Sequence, residues 1–195
     1  MKPVLALFCA ILLASAAGCG QSRSLGAAFG DMDADHSLKS HLLSDGDGDY
    51  SDIDITIFEG RLMLTGTMPD EPSRARLIQT AWQVEGVKEI IDEIIVGDDT
   101  SFGQGFADSR IDAAIRSKLI TDGEIRSGDV KIAVSNGVAY LIGVARNEAA
   151  LGRIVGHART TGGVAKVVSH VVYMDEPTWS LYGGPRVDQY ARARS

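Results

Sequence analysis

The two cysteines of the chain, Cys9 and Cys19, both lie at the extreme N-terminus, so everything after Cys19 is free of thiols. A folded region without cysteine holds no disulfide, no cysteine-ligated metal and no thiol nucleophile. Long apolar runs are equally scarce: the longest, Val4 to Ala17, spans 14 residues, too short to cross a bilayer comfortably. A basic excess is missing as well. The net charge is −7 and the pI near 5.0, which argues against a nucleic-acid binder, whose footprint is a basic stripe. No Walker loop, H-E-x-x-H or nucleophile elbow occurs, and His36, His41, His157 and His170 share no ligand spacing on one helix face. The reading is a non-enzymatic protein without metal or cofactor.

What the chain does contain is one pattern twice. Residues 130 to 143, V-K-I-A-V-S-N-G-V-A-Y-L-I-G, alternate at Val130, Ile132 and Val134 and then reach Asn136-Gly137, the signature of a two-residue hairpin turn. Seventy-seven positions upstream, residues 53 to 66 repeat it, with Ile53, Ile55 and Ile57 alternating, Gly60 under Gly137 and Gly66 under Gly143. The register extends without a gap: Phe29 falls on Phe106, Leu42 on Leu119, Glu71 on Glu148, Ala81 on Ala158 and Gly86-Val87 on Gly163-Val164. Roughly nineteen of about seventy-three aligned pairs are identical. A repeat this long is a small domain in itself, and the expected arrangement is two copies on a string. The copies differ in charge. Residues 26 to 98 hold 16 acids against 5 bases, about −11, whereas 103 to 175 hold 7 against 9, about +2.

In chain order, Lys2 and the apolar run that follows have the form of a secretory signal over residues 1–18. The run ends in Ala16-Ala17-Gly18-Cys19, similar to the lipobox of bacterial lipoproteins, with Ala16 where leucine is usual. Two outcomes stay open: lipidation of Cys19, or ordinary cleavage after Ala14-Ser15-Ala16 and release. Residues 19–30 read as a tether. In the first unit, 31–97, Ala34, Leu38 and Leu42 mark a helix, the hairpin follows, and Met68-Pro69-Asp70-Glu71 leads into a second helix carrying Leu77, Ile78, Ala81 and Val84. Val87 to Val96 is the last strand. The unit therefore reads α-β-β-α-β, an α+β fold whose crossover helix makes the last strand parallel to its neighbour. Residues 98–107 read as the linker, 108–175 as the second unit with Ile111, Ala114, Ile115 and Leu119 on the core side of its first helix, and 176–195 as a disordered tail.

Several features carry a structural reading. Gly66, Gly143, Gly86 and Gly163 recur at matched places and are read as backbone requirements, since none sits in a phosphate cradle. Asp45, Asp47 and Asp49 alternate like a calcium loop, but Tyr50 stands where the turn wants glycine and Thr56 where a glutamate should close the site. Trp82, which replaces Arg159 of the second copy, is read as half-buried packing.

Asn136-Gly137-Val138, Leu141, Gly143, Gly163-Val164 and Val167, with Gly60, Leu64, Gly66, Gly86, Val87 and Ile90 in the first copy, resemble the BON domain of bacterial envelope and osmotic-stress proteins. Two such units behind a lipobox look like the dual-BON outer-membrane lipoproteins. The resemblance implies a protein anchored through Cys19 to the periplasmic face of the outer membrane, since Gly20 and not aspartate follows the cysteine. It also implies binding of anionic phospholipid and support of envelope integrity. Alternative partners are an envelope protein or peptidoglycan, with no nucleic acid. In the lipid-binding relative the contact is ascribed to the first helix of the second unit, here about Ser109 to Ile120. That makes Arg110, Arg116 and Lys118 the candidate phospholipid-binding residues. On a helical wheel Arg110 and Arg116 fall on or beside the exposed face and Lys118 near the boundary, and the helix has no aromatic residue to insert at the headgroup level, so binding is expected to be weak and salt-sensitive.

Overall fold

The computed structural model describes residues 50–97 and 104–173, together with positions 36, 38 and 40, which are helical. The signal segment, Cys19, the acidic loop at Asp45 to Asp49, and the tail lie outside the described residues. The first unit consists of β1 (Ile53–Phe58), β2 (Arg61–Met68), α1 (Glu71–Ala81) and β3 (Glu89–Val96). The second has α2 (Gln104–Thr121), a 3-10 turn (Ser127–Asp129), β4 (Val130–Ser135), β5 (Val138–Ala145), α3 (Glu148–Arg159) and β6 (Lys166–Tyr173).

Each unit is a three-stranded mixed sheet, ordered β1-β2-β3 and β4-β5-β6. The hairpin strands are antiparallel, with Ile53 opposite Gly66 and Val130 opposite Gly143, and the last strand lies parallel to the middle one. Both turns have positive φ at their two central residues, Glu59 (54°) and Gly60 (83°), Asn136 (52°) and Gly137 (74°). This is the geometry whose twist matches the strands. Each crossover helix starts on a matched side-chain cap: Asp70 accepts from the Ser73 amide at 2.7 Å and Asn147 from the Ala150 amide at 2.9 Å.

The helices cover one sheet face in each unit. In the first, Leu38, Ile57, Leu62, Leu64, Leu77, Ala81 and Ile94 form the core; Ala34 and Leu42 lie outside the described residues. In the second the core holds Ile111, Ile115, Leu119, Ile132, Leu141, Ile154 and Ala158. Ala114, expected on the core side, is exposed, because the buried sector of α2 is centred on Ile115 and reaches the other way to Asp108.

The other faces of the two sheets pack on each other, so the units are not separate bodies on a string. Phe58, Met63 and Ile91 of the first sheet meet Ala133, Tyr140, Ile142 and Val144 of the second in one apolar layer. Polar contacts ring this layer. Arg61 donates from Nε to Glu89 Oε2 at 2.7 Å and from Nη1 to the His170 carbonyl at 2.9 Å; His170 Nε2 lies 3.0 Å from Glu93 Oε1. Lys131 Nζ donates to the Ile57 carbonyl, and Asn136 Nδ2 to Thr67 Oγ1 at 3.3 Å. With helices on one side and a sheet on the other, β2 is buried along its whole length and β5 from Ala139 to Ala145.

Gly66 and Gly143 are fixed by close approach. A Cβ on either would stand 2.0 Å from the Asp52 carbonyl oxygen or 2.1 Å from that of Asp129, at φ of 123° and 149°. Gly143→Ala should therefore cost about 2–4 kcal/mol and lower the melting temperature by on the order of 10 °C. Gly128→Ala, whose added Cβ meets nothing within 4 Å, is the control. Thermal unfolding followed by circular dichroism checks this, and equal melting temperatures for the two variants would refute it.

Candidate functional site

The surface singled out by the sequence is the first helix of the second unit, and α2 begins earlier than expected, at Gln104, inside the segment read as linker. Two contacts account for the extra turn. Ser109 Oγ donates to the Gly105 carbonyl at 2.9 Å, and the buried Asp108 carboxylate accepts from the Asn136 and Gly137 amides at 2.7 and 2.9 Å. The start of α2 is thereby fixed to the hairpin turn, and Phe106 becomes a helical residue, so the helix carries an aromatic side chain where none was expected.

On the 100° spacing of a helix, Ile111, Ile115 and Leu119 point inward, and Phe106, Arg110, Ala113, Ser117 and Ile120 form the opposite stripe. All five are exposed, Phe106 to 73% and Ile120 to 69%. The stripe runs 15 residues from Phe106 to Ile120, about 21 Å at the helical rise. It has one large apolar side chain at each end, small residues between them and a guanidinium in its first half.

The candidate cations occupy different settings. Among the described residues no hydrogen bond or ion pair engages Arg110. Arg116 pairs with Asp112 one turn back, Nε to Oδ2 at 2.6 Å, and its Nη2 donates to the Ile132 carbonyl on edge strand β4 at 2.9 Å. Lys118 Nζ donates to the Thr160 carbonyl at the end of α3 at 2.9 Å, where a cation also suits the negative helix terminus. Among the described residues Arg110 thus has no partner, whereas Arg116 and Lys118 tie α2 to the sheet and to α3. Cys19 lies outside the described residues.

The inner end of α2 is secured by Asp122, whose side chain is 5% exposed. It accepts from Arg153 Nη2 at 2.7 Å and from the Glu124 amide at 3.0 Å, and lies 2.6 Å from His157 Nε2. The Arg153 hydrogen bond first, then His157, hold its carboxyl well below the usual carboxylate range. Of the other histidines, His36 is exposed, His41 lies outside the described residues, and His170 is buried between the sheets. Tyr140 shares that interface, and burial, then the Glu93 charge, push its phenol up. Trp82 closes α1 and is 45% exposed, more open than the half-buried packing expected. Among the described residues no group of three His, Cys, Asp or Glu could hold a metal ion, and no helix is long and apolar enough to cross a membrane.

Two α-β-β-α-β units with matched hairpins, glycines and crossovers define the class, and the chain belongs to the BON domain family, whose model matches residues 31–98 and 107–175. Among its relatives is an uncharacterized protein of Anaplasma centrale encoded in the gshII 5′ region, 34% identical over 125 residues, covering 64% of this chain and 83% of that one. The outer membrane lipoprotein DolP of Haemophilus influenzae is 32% identical over 119 residues, covering 60% of this chain and 61% of its own length. A 21 kDa hemolysin of Actinobacillus pleuropneumoniae is 33% identical over 122 residues, covering 63% and 62%. The chain therefore spans less than two thirds of the latter two.

The Asp122 contacts give a pH signature. A carboxyl depressed in the folded state stabilises above its unfolded value, about 3.9, and that contribution is lost as pH falls toward the folded value. Wild type should therefore melt higher than Asp122→Asn above about pH 4, with the gap shrinking steadily below it. A gap that is constant from pH 2.5 to 7 would contradict the assignment.

Proposed function

We propose that the protein is a non-enzymatic lipoprotein of the outer membrane, anchored through Cys19 on its periplasmic side, that binds anionic phospholipid with the outer stripe of α2 and supports envelope integrity. The observation that carries this reading is the combination of two exposed apolar side chains, Phe106 and Ile120, with Arg110 between them and paired with no acid among the described residues. A helix lying flat at a headgroup layer needs such an arrangement: apolar groups at its ends to enter the acyl boundary, small residues between to let the backbone approach, and cations beside them. The naming of a relative as an outer membrane lipoprotein supports the location.

The energetics favour weak attachment. Full burial of a large apolar side chain contributes about 1.5–3 kcal/mol and a basic residue at an anionic surface about 1 kcal/mol. Two apolar groups and one to three cations give a weak interaction, which a lipid chain on Cys19 reinforces by holding the domain near the bilayer. The first unit, near −11, is repelled by the same surface.

Flotation of the unlipidated Cys19→Ser protein with phosphatidylglycerol vesicles tests the reading. Phe106→Ser, Ile120→Ser and Arg110→Glu should each reduce bound protein several-fold, and binding should fall with salt and be absent on phosphatidylcholine. Arg116→Glu and Lys118→Glu should lower the melting temperature as well as binding, since both also bridge elements. Indifference to all three outer-stripe substitutions would end the proposal. For the anchor, Cys19→Ser should shift the protein from the membrane to the soluble fraction; a wild type already soluble would mean cleavage after Ala16.

A further inference from the structure

The sheet face that each unit turns to the other is the same face. With the 77-residue offset of the repeat, Met63 corresponds to Tyr140, Ile91 to Val168, Arg61 to Val138 and Thr67 to Val144, and all eight are buried or partly buried at this contact. Glu93 corresponds to His170, and these two counterparts touch each other at 3.0 Å. A residue that meets its own equivalent lies beside the axis that relates the two copies, and a contact using one patch on both partners has the form found in symmetric dimers. The exchanges between the copies then break that symmetry. Paired with another first unit, this face would set Glu93 against Glu93 and bring a second buried Arg61 where Val138 now packs; paired with another second unit, it would set His170 against His170 and lack Arg61 altogether.

We propose that this face is an autonomous docking surface whose partner is a BON sheet carrying the complementary set, and that Glu93 with His170 selects first-with-second pairing over pairing of like units. Two carboxylates opposed in a water-excluded contact cost far more than at a solvated surface, and two imidazoles there lose the Glu93 oxygen, so one exchanged position discriminates between otherwise similar sheets. The apolar layer supplies the attraction and the pair at the axis supplies the choice of partner.

The test uses the full chain with a protease site placed after Thr100. After cleavage the two fragments should co-elute in a 1:1 complex at the size of the uncut chain. Glu93→His and His170→Glu should each release the fragments, and the double exchange Glu93→His with His170→Glu should restore the complex, which separates a pairing role from simple misfolding. Fragments of wild type that separate on cleavage, or that re-form as like-with-like dimers, would overturn the proposal. So would single variants that stay together as wild type does, or a double exchange that fails to restore retention.

Discussion

A three-stranded sheet has two faces, and two helices can cover only one of them. The contact that closes the other face, sheet against sheet, is the constraint on which the rest of this structure depends. It lets each unit of about seventy residues, too small to build a large core alone, keep its middle strand buried on both sides. Phe58, Met63, Ile91, Tyr140 and Ile142 have no place in the helix-covered cores and would otherwise face water. The duplication thus supplies the missing layer from within the same chain.

Burying that face brings polar groups with it, and most have a partner, although the buried Thr65 hydroxyl finds none among the described residues. Arg61 spans from Glu89 in its own sheet to the His170 carbonyl in the other, Lys131 reaches the Ile57 carbonyl, and Asn136 reaches Thr67. Such contacts add little net stability after desolvation, but leaving any one group unpaired there would be costly. They therefore fix the alignment of the sheets more than their attraction. Asn136 links this alignment to the proposed ligand face, because its amide and that of Gly137 are held by Asp108 at the start of α2. The hairpin turn that ends β4 consequently positions both the sheet contact and the exposed helix.

The candidate site was legible in part. Ile111, Ile115 and Leu119 at helical spacing located α2 and its inward side, and Arg110 was placed outward by the same spacing. Phe106 and Ile120 were missed as surface residues. Phe106 precedes the apolar period and carries no sign of helix, since the contact that winds the first turns, Asp108 to the hairpin amides, joins residues 28 and 29 positions apart. A helical wheel extended to the matched Phe29–Phe106 pair would have found it. Spacing sets Lys118 nearer the boundary than Arg110 and Arg116, but only the neighbours Asp112, Ile132 and Thr160 show that Arg116 and Lys118 are engaged.

The fold of each unit was determined by the sequence, because its signals are local or periodic: strand alternation, the Asn136-Gly137 turn, the Asp70 and Asn147 caps, and a crossover whose handedness and parallel pairing follow from chain geometry. The 77-residue repeat then required two such units. How the units meet was a tertiary decision. Alternation records which residues leave the solvent but not what covers them, and Val138 to Ala145 reads the same whether its second face meets a helix, a bilayer or another sheet. That choice rests on shape and on pairs such as Glu93 with His170, 77 residues apart, which no local pattern encodes.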